Sequence, residues 1–182
     1  MDWILFDTPD YLQGGSAKQQ QAYLALKKLK INEILHSYKP ILCGTIPIGV
    51  DIESSDLDII MEVYEFEIFS QIVIDYFGKM NHFRLKRLMI REVEVIKVNF
   101  YFDGFEFEFE LFGQPIPVKQ QYAYLHMIIE HAVLRINPYV KEEVLIRKKQ
   151  GYKTEPAFCQ VLGLKGDPYQ ALIEYGKAKR FI

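Results

Sequence analysis

The sequence has little of what marks secreted, membrane-spanning or disulfide-stabilised proteins. Its 182 residues include only two cysteines, Cys43 and Cys159, which lie far apart and outside any metal-ligand spacing. Two scattered cysteines are typical of buried apolar residues in a reducing compartment. Residues 1–7 do not form a basic region followed by an apolar stretch, and no apolar run approaches the roughly 20 residues of a membrane helix. We therefore expect a soluble, cytoplasmic protein without membrane contact.

The formal net charge is also small. A value of −2 argues against a protein that holds long nucleic acid by bulk electrostatics. What is abundant is apolar material, 49% of the residues, including 13 Phe and 12 Tyr. This excludes a disordered chain, and the length suits one well-buried core rather than two. We expect residues 1–182 to form a single compact domain, with a core over about 1–118 and a helical part over about 119–182.

Hydrophobic periodicity predicts an α+β fold (α/β layered), in which helices pack on a mixed β-sheet and the C-terminal half is helical. Ser16 is the predicted N-cap of the first helix. The predicted helices cover about 16–38, 66–77, 118–136, 139–149, 155–162 and 169–177. The predicted strands cover about 40–43, 56–63, 82–90, 93–102 and 105–112, with hairpin turns at Arg91-Glu92 and Asp103-Gly104.

The pair Asp56-x-Asp58 is the first candidate for chemistry. On a strand, residues i and i+2 point to one face with Cα atoms about 6.6 Å apart, so both carboxylates can converge on divalent cations. Two-metal sites hold ions roughly 3.5–4 Å apart and clamp phosphoryl oxygens during an in-line displacement. The alternative is a turn with a solvent-facing edge, since Asp is depleted in strand interiors.

Gly44-Thr45 is the second candidate. A glycine after a buried strand allows backbone N–H groups to approach a phosphate closely, and the adjacent hydroxyl adds a donor. Most Gly-Thr pairs are merely turns. This one gains weight from its position shortly before an acidic strand.

The third candidate lies in the alternating segment from Phe105 to Phe112. Its three glutamates, Glu106, Glu108 and Glu110, are expected on one face and its aromatic residues on the other. For Glu106 and Glu108 a wet strand face is the favoured interpretation. Like charges at this spacing repel unless a cation offsets them, and Lys97 on the preceding strand is a candidate neighbour. One glutamate beside Asp56 and Asp58 would complete a three-carboxylate site suited to Mg²⁺.

Gly44-Thr45, followed by a loop and Asp56-Leu57-Asp58-Ile59, resembles the signature of the polymerase-beta-like nucleotidyltransferase superfamily. In that signature, a Gly-Ser or similar pair precedes an Asp-x-Asp/Glu strand, and a third carboxylate lies on a later strand. Within the superfamily, the chain more closely resembles an uncharacterised bacterial family. The stretches that carry this closer resemblance are Gly44-Thr45-Ile46-Pro47-Ile48-Gly49, Phe112-Gly113-Gln114-Pro115-Ile116-Pro117-Val118 and Lys153-Thr154-Glu155-Pro156-Ala157-Phe158.

The resemblance implies a mechanism. Asp56, Asp58 and Glu110 would be catalytic and would hold Mg²⁺ (or Mn²⁺), with Glu108 as second choice to Glu110. Gly44 and Thr45 would contact the phosphates of a nucleoside triphosphate. The acceptor is left open as a small molecule, a protein or RNA, and so is the oligomeric state.

One departure from the superfamily stands out. Ile46 and Pro47 occupy positions where many members carry a basic or hydroxyl group that grips phosphate. The alternative function is therefore a non-catalytic binding or regulatory protein on the same fold, for example a toxin-neutralising partner. A third possibility is pyrophosphoryl transfer to a nucleotide, for which Lys97 and Tyr101 are weak hints.

Other polar residues have simpler interpretations. His126 and Glu130, one helical turn apart, could share a ligand, but a solvent-facing or core-edge pair is favoured. A basic cluster could steer an anionic acceptor or nucleic acid, but a solvated sheet face is favoured. That cluster is Arg84, Lys86, Arg87 and Arg91. Further basic residues could line a nucleotide cleft, and the sequence singles out none of them. They are Lys119, Arg135, Arg147, Lys148 and Lys149.

Overall fold

The computed structural model describes residues 6–102 and 108–182. Helix α1 (Ala17–Leu29) begins at the predicted N-cap, because Ser16 Oγ accepts a hydrogen bond from the Gln19 amide at 3.2 Å. The Gln19 side chain in turn accepts from the Ser16 amide at 2.9 Å, which completes a capping box. The helix ends at Lys30, whose φ of 54° lies in the left-handed region.

The helix predicted over 16–38 is therefore interrupted. Lys30 separates α1 from the short helix α2 (Ile31–Ile34), and a 3-10 turn covers His36–Tyr38. The helices that follow are α3 (Thr45–Ile48), α4 (Phe66–Phe77), α5 (Tyr122–Ile136), α6 (Tyr139–Lys149), α7 (Thr154–Leu162) and α8 (Pro168–Ala178). Two of them, α4 and α6, begin and end at the predicted residues.

The strands form a mixed five-stranded sheet with the order β1-β2-β5-β4-β3. Their bounds are β1 (Ile41–Cys43), β2 (Leu57–Glu62), β3 (Asn81–Ile90), β4 (Val93–Tyr101) and β5 (Glu108–Gln114). Strands β2 and β5 are parallel, and the other neighbouring pairs are antiparallel. Because parallel strands start at the same edge of a sheet, the first residues of β2 and β5 lie side by side.

Each face of the sheet is covered by a different set of helices. One face, which includes Ile59, Leu111 and Val98, packs against α1 and α4. The other face, which includes Ile60 and Cys43, packs against the helices from α5 to α8. Since strand residues alternate between faces, Asp58 shares the face of Ile60 and points towards the side of the C-terminal helices. The layered α+β prediction, with a helical C-terminal half, is confirmed.

Differences from the predicted strands are small. The strand start predicted at Asp56 lies at Leu57, and the last strand continues to Gln114 rather than ending at Phe112. The hairpin turn at Arg91-Glu92 is confirmed, because both residues have positive φ, 50° and 65°. The turn predicted at Asp103-Gly104 lies outside the described residues.

Candidate active site

Strand register brings the predicted carboxylates together. Asp58 lies near the start of β2, and Asp56 directly precedes the strand. Across the parallel pair, Asp58 is the partner of Glu110 on β5, and across the antiparallel pair it is the partner of Cys43 on β1. Directly paired residues project on the same face. The segments carrying Asp56, Asp58 and Glu110 thus meet at the end of the sheet where β2 and β5 begin. We call this end, with Asp56, Asp58, Glu108 and Glu110, the acidic edge.

The carboxylates of this edge form a partly buried acidic cluster, and burial and mutual repulsion raise the pKa values of Asp56 and Asp58. Burial, with the charges of Glu110 and Asp56 adding to it, raises the pKa of Asp58 to about 7. The pKa of Asp56 is also raised, first by burial and then by the charges of Glu110 and Glu108. A bound cation would lower the pKa of both carboxyl groups, because it stabilises the charged form of each.

Gly44 is in direct contact with this cluster. Its φ of 78° lies in the left-handed region, and a Cβ built on it would lie 2.5 Å from Asp58 Oδ2. A side chain at this position would therefore collide with the carboxylate. The contact explains why glycine, rather than any other residue, ends β1 beside the acidic strand.

Thr45 belongs to a small hydroxyl network. Its Oγ1 lies 3.1 Å from Ser55 Oγ, which also accepts a hydrogen bond from the Ile52 amide at 2.9 Å. The network ties the residue after Gly44 to the loop that leads into Asp56. Ile46 and Pro47, which follow Thr45, are buried.

Glu110 is held by the neighbouring strand β4. Its Oε1 lies 2.8 Å from Lys97 Nζ and accepts a second hydrogen bond from Asn99 Nδ2, also at 2.8 Å. Asn99 Nδ2 donates as well to Glu108 Oε1 at 3.0 Å. Arg84 lies 3.6 Å from Glu108. The candidate neighbour Lys97 is therefore the ion-pair partner of the third carboxylate, and Glu106 lies outside the described residues.

The donor chemistry of this edge fits a hard divalent cation, since Asp56 and Asp58 supply carboxylate oxygens with raised pKa values. Glu110, the third predicted carboxylate, has Lys97 and Asn99 as its hydrogen-bond partners. Within residues 6–102 and 108–182, no group of three or more His, Cys, Asp or Glu side chains is arranged to enclose a metal ion. The geometry fits a two-carboxylate site at Asp56 and Asp58.

Lys148 is the basic residue that the structure singles out from the helical half. It is 6% exposed, and its pKa is lowered by burial, against the opposing charges of carboxylates that include Glu130, Asp51 and Asp58. The interaction with Asp58 places the Lys148 ammonium near the acidic edge. A signal was present in the sequence: Val140, Val144 and Lys148 recur at a spacing of four and form the buried stripe of α6.

Helix α5 carries two further buried polar side chains, Glu130 and His126, and the charge of Glu130 acts on Lys148. Glu130 is 3% exposed, burial raises its pKa well above the ordinary value, and its Oε1 has no hydrogen-bond partner in the described part of the chain. His126, 4% exposed, lies 2.9 Å from the Tyr169 carbonyl and 3.8 Å from Glu155. Of the two favoured interpretations of His126 and Glu130, the structure supports a core-edge pair rather than a solvent-facing one, because α5 is covered along this stripe by α7 and α8.

The remaining basic candidates have other neighbours. Arg84 and Lys86 share the face of the site through their pairing with Asn99 and Lys97, while Arg87 lies 2.7 Å from Glu67. Arg91 lies 4.9 and 4.7 Å from the ring centroids of Tyr122 and Tyr169. In the helical half, Lys119 pairs with Asp7 and Arg147 with Glu143. Lys149 and Arg135 are assigned no role in the site.

One family model matches most of the chain. It is described as a domain of unknown function, DUF4269, and it matches residues 24–175. The chain belongs to this family. Among curated proteins, none matches it in sequence. Whether the family is bacterial stays a prediction.

The solved structures that resemble the DUF4269 chain place its fold. Cid1 poly(U) polymerase with MgGTP bound has a TM-score of 0.53 and 16% identity, over 74% of this chain and 42% of that one. A cytoplasmic RNA terminal U-transferase gives 0.51 and 18%, over 73% and 41%. GLD-2 in its RNP-8 complex gives 0.53 and 13%, over 78% and 57%. The chain spans about half the length of these proteins or less.

The DUF4269 chain shares its fold with these structures, and the predicted nucleotidyltransferase-like fold is thereby confirmed. At such identities the likeness concerns the fold alone. In the described ranges, no helix is both long enough and apolar enough to cross a membrane.

Proposed function

We propose that the DUF4269 chain transfers a nucleotidyl group from a nucleoside triphosphate to an acceptor hydroxyl, with Mg²⁺ (or Mn²⁺) held by Asp56 and Asp58. One observation carries the proposal: Asp58 is paired in register with Glu110 and its carboxylate lies against Gly44. Three features of the signature, distant in sequence, are thereby adjacent in space. A solvated strand edge would not require the glycine contact.

The triphosphate is bound from two sides. Gly44 and Thr45 offer backbone N–H groups next to Asp58, and the Thr45 hydroxyl adds a donor. In this structure the Thr45 hydroxyl donates to Ser55 Oγ, which also accepts from the Ile52 amide. When a triphosphate binds, the Thr45 proton turns to a phosphate oxygen, and the Ser55 hydroxyl, which keeps its own proton, donates to Thr45 in exchange. From the helical half, the buried Lys148 ammonium supplies the positive charge that Ile46 and Pro47 lack.

The chemistry is an in-line displacement. The acceptor oxygen forms a bond to the α-phosphorus, the bond from that phosphorus to its bridging oxygen breaks, and pyrophosphate leaves. The acceptor proton passes to Glu110 or to water. When bound, the divalent cation neutralises phosphate charge and polarises the α-phosphoryl group. Asp56 and Asp58 fix the triphosphate against Gly44, and Glu110 lies on the β5 side, where the acceptor approaches.

The fold neighbours are consistent with this activity. One is a poly(U) polymerase described with MgGTP bound, and another is an RNA terminal U-transferase. Since the DUF4269 chain covers less than half of either, their acceptor does not transfer with the fold. The acceptor stays open as a small molecule, a protein or RNA.

The test is turnover measured as pyrophosphate release. Purified protein is incubated with each nucleoside triphosphate labelled at the α-phosphate, with Mg²⁺ or Mn²⁺, and with pools of RNA, protein and small-molecule acceptors. We expect label to enter an acceptor in step with pyrophosphate, and both to be lost in Asp56→Asn/Asp58→Asn. The variant Asp10→Asn/Asp75→Asn, which neutralises two exposed carboxylates elsewhere, is the matched control and should turn over normally.

A second candidate is favoured by one observation. Lys97 and Asn99 both donate hydrogen bonds to Glu110, and the apolar residues Ile46 and Pro47 are buried directly after Gly44-Thr45. A binding or regulatory protein that keeps the fold without turnover accounts for this arrangement. It predicts nucleotide binding without pyrophosphate release, and a protein partner that co-purifies.

A further inference from the structure

Lys97 is placed at the acidic edge by the architecture of the sheet. It lies on the central part of β4, where its cross-strand partners are Phe112 on β5 and Lys86 on β3. Its Nζ is 2.8 Å from Glu110 Oε1 and 5.0 Å from the centroid of the Phe112 ring. Its side chain is only 24% exposed. The ammonium is therefore held in place by its ion pair with Glu110 and by its contact with the Phe112 ring.

Asn99 reinforces the same arrangement. Its amide nitrogen donates to Glu110 at 2.8 Å and to Glu108 at 3.0 Å, so both glutamates are drawn towards β4. Asp58, on the other side of β5, has its Oδ2 against Gly44. The carboxylates of the edge thus divide into two groups. Asp56 and Asp58 form one, and Glu108 and Glu110 form the other with Lys97 and Asn99.

Two cations at this edge would compete for Glu110. In a two-metal site the ions lie roughly 3.5–4 Å apart and share carboxylate oxygens. A divalent ion bound to Glu110 would lie at similar range from the Lys97 ammonium, and the two positive charges would repel each other in a partly buried setting. One of them must leave, and Lys97 cannot go far without disturbing its contacts with Phe112.

We propose that the Lys97 ammonium takes the place of a second divalent cation at Glu110, so that the chain binds one divalent ion with its nucleotide, at Asp56 and Asp58. This inference rests on the proposed function, since it assumes the metal site of that function. Lys97 then acts as a positioning residue. It fixes Glu110 and supplies a single positive charge on the acceptor side of the α-phosphate.

The test counts metal ions rather than turnover. Protein saturated with a non-hydrolysable nucleoside triphosphate is titrated with Mn²⁺, and bound ions are counted by electron paramagnetic resonance after subtraction of the nucleotide alone. Wild type is expected to bind one Mn²⁺ per chain, with the spectrum of an isolated ion. Lys97→Met removes the charge and keeps the apolar stem, and should bind two ions with the spectrum of a coupled pair.

Two further variants complete the design. Lys86→Met, which removes the neighbouring exposed ammonium on β3, should keep one ion, and Lys97→Arg should also keep one. If Lys97→Met does not fold by thermal unfolding, Lys97→Gln takes its place. Two ions in wild type, or one ion in a folded Lys97→Met, would overturn the inference and leave the Asp56–Asp58 site standing. No bound ion in any variant would remove that site, and the proposed function with it.

Discussion

Asp58 and Glu110 are direct partners across the parallel strands β2 and β5, yet they differ in their surroundings. Glu110 forms an ion pair with Lys97, whereas Asp58 lies next to Gly44 and has a pKa raised to about 7. The sheet therefore places a carboxylate that has an ion-pair partner beside one whose pKa is raised chiefly by burial. That asymmetry determines how the protein should respond to pH, to metal and to substitution.

The first prediction concerns pH and stability. The folded pKa of Asp58, about 7, lies above its ordinary value of 3.8, so the folded state holds a proton that the unfolded state has released between these values. The free energy of unfolding of the metal-free protein should fall, through this group, as pH rises from about 4 to 7. Asp58→Asn removes the contribution. Urea unfolding in EDTA at pH 5 and pH 8 should show wild type losing more stability than the variant. An equal loss in both proteins would contradict the raised pKa.

The second prediction concerns Gly44. Gly44→Ala places a methyl group 2.5 Å from Asp58 Oδ2 and forces a positive φ of 78° on a residue with a side chain. Gly163→Ala is the control for a methyl group at positive φ alone, because its φ is 68° and a Cβ there meets nothing within 4 Å. Gly163→Ala should lose about 1–2 kcal/mol of stability from backbone strain. Gly44→Ala should lose more, because its ψ of −151° lies in a region that glycine alone adopts readily. Only Gly44→Ala should also lose Mn²⁺ binding, measured by calorimetric titration. Normal metal binding in a folded Gly44→Ala would show that the contact with Asp58 does not shape the site.

The third prediction concerns the charge contributed by the helical half. Lys148→Met should weaken triphosphate binding roughly tenfold or more, since a hydrogen bond to a charged group contributes about 1.5–3 kcal/mol. Its neighbour Lys149 is exposed, so Lys149→Met makes the same change in net charge away from the buried stripe of α6. Nucleoside monophosphate binding should change little in either variant, because the ammonium is expected at the outer phosphates. Equal affinities for triphosphate in the two variants would remove Lys148 from the site.

Much of the fold could be predicted because its periodicity is local. The helix α4 and the hairpin at Arg91-Glu92 are set by apolar spacing and by turn residues within a few positions. The break at Lys30 could not be predicted in this way. A lysine does not favour the left-handed backbone conformation, and the apolar spacing of the helix continues past Lys30 to Ile34. Tertiary packing decides that boundary.

The candidate site was predictable where it depends on strand alternation. Asp56, Asp58 and Gly44 could be grouped by sequence because the signature keeps them close along the chain. The pairing of Asp58 with Glu110 depends on the parallel register of β2 and β5, which no local pattern contains. Lys148 was one of five basic candidates and could not be singled out for a related reason. A lysine among buried valines at helical spacing predicts a polar group that faces inwards, but its proximity to Asp58 depends on how α6 packs.

The fourth prediction separates the two glutamates of β5. Glu110 is the cross-strand partner of Asp58, whereas Glu108 precedes it on β5, accepts a hydrogen bond from Asn99 and forms an ion pair with Arg84. If Glu110 rather than water receives the acceptor proton, Glu110→Gln should lower the turnover number while the affinity for triphosphate stays near that of wild type. Glu108→Gln should retain most of the turnover. A larger loss of turnover in Glu108→Gln would assign the third carboxylate to Glu108.

The central claim is that Asp56 and Asp58 bind a metal–nucleotide complex. Its most direct test is the equilibrium affinity of each non-hydrolysable nucleoside triphosphate in Mg²⁺ and in EDTA, measured by calorimetric titration of wild type and Asp56→Asn/Asp58→Asn. We predict binding of at least one nucleotide by wild type that weakens by about tenfold or more, roughly 1.4 kcal/mol or more, in EDTA and in the variant. Nucleotide binding that is the same with and without Mg²⁺, and undiminished in the variant, would contradict the account.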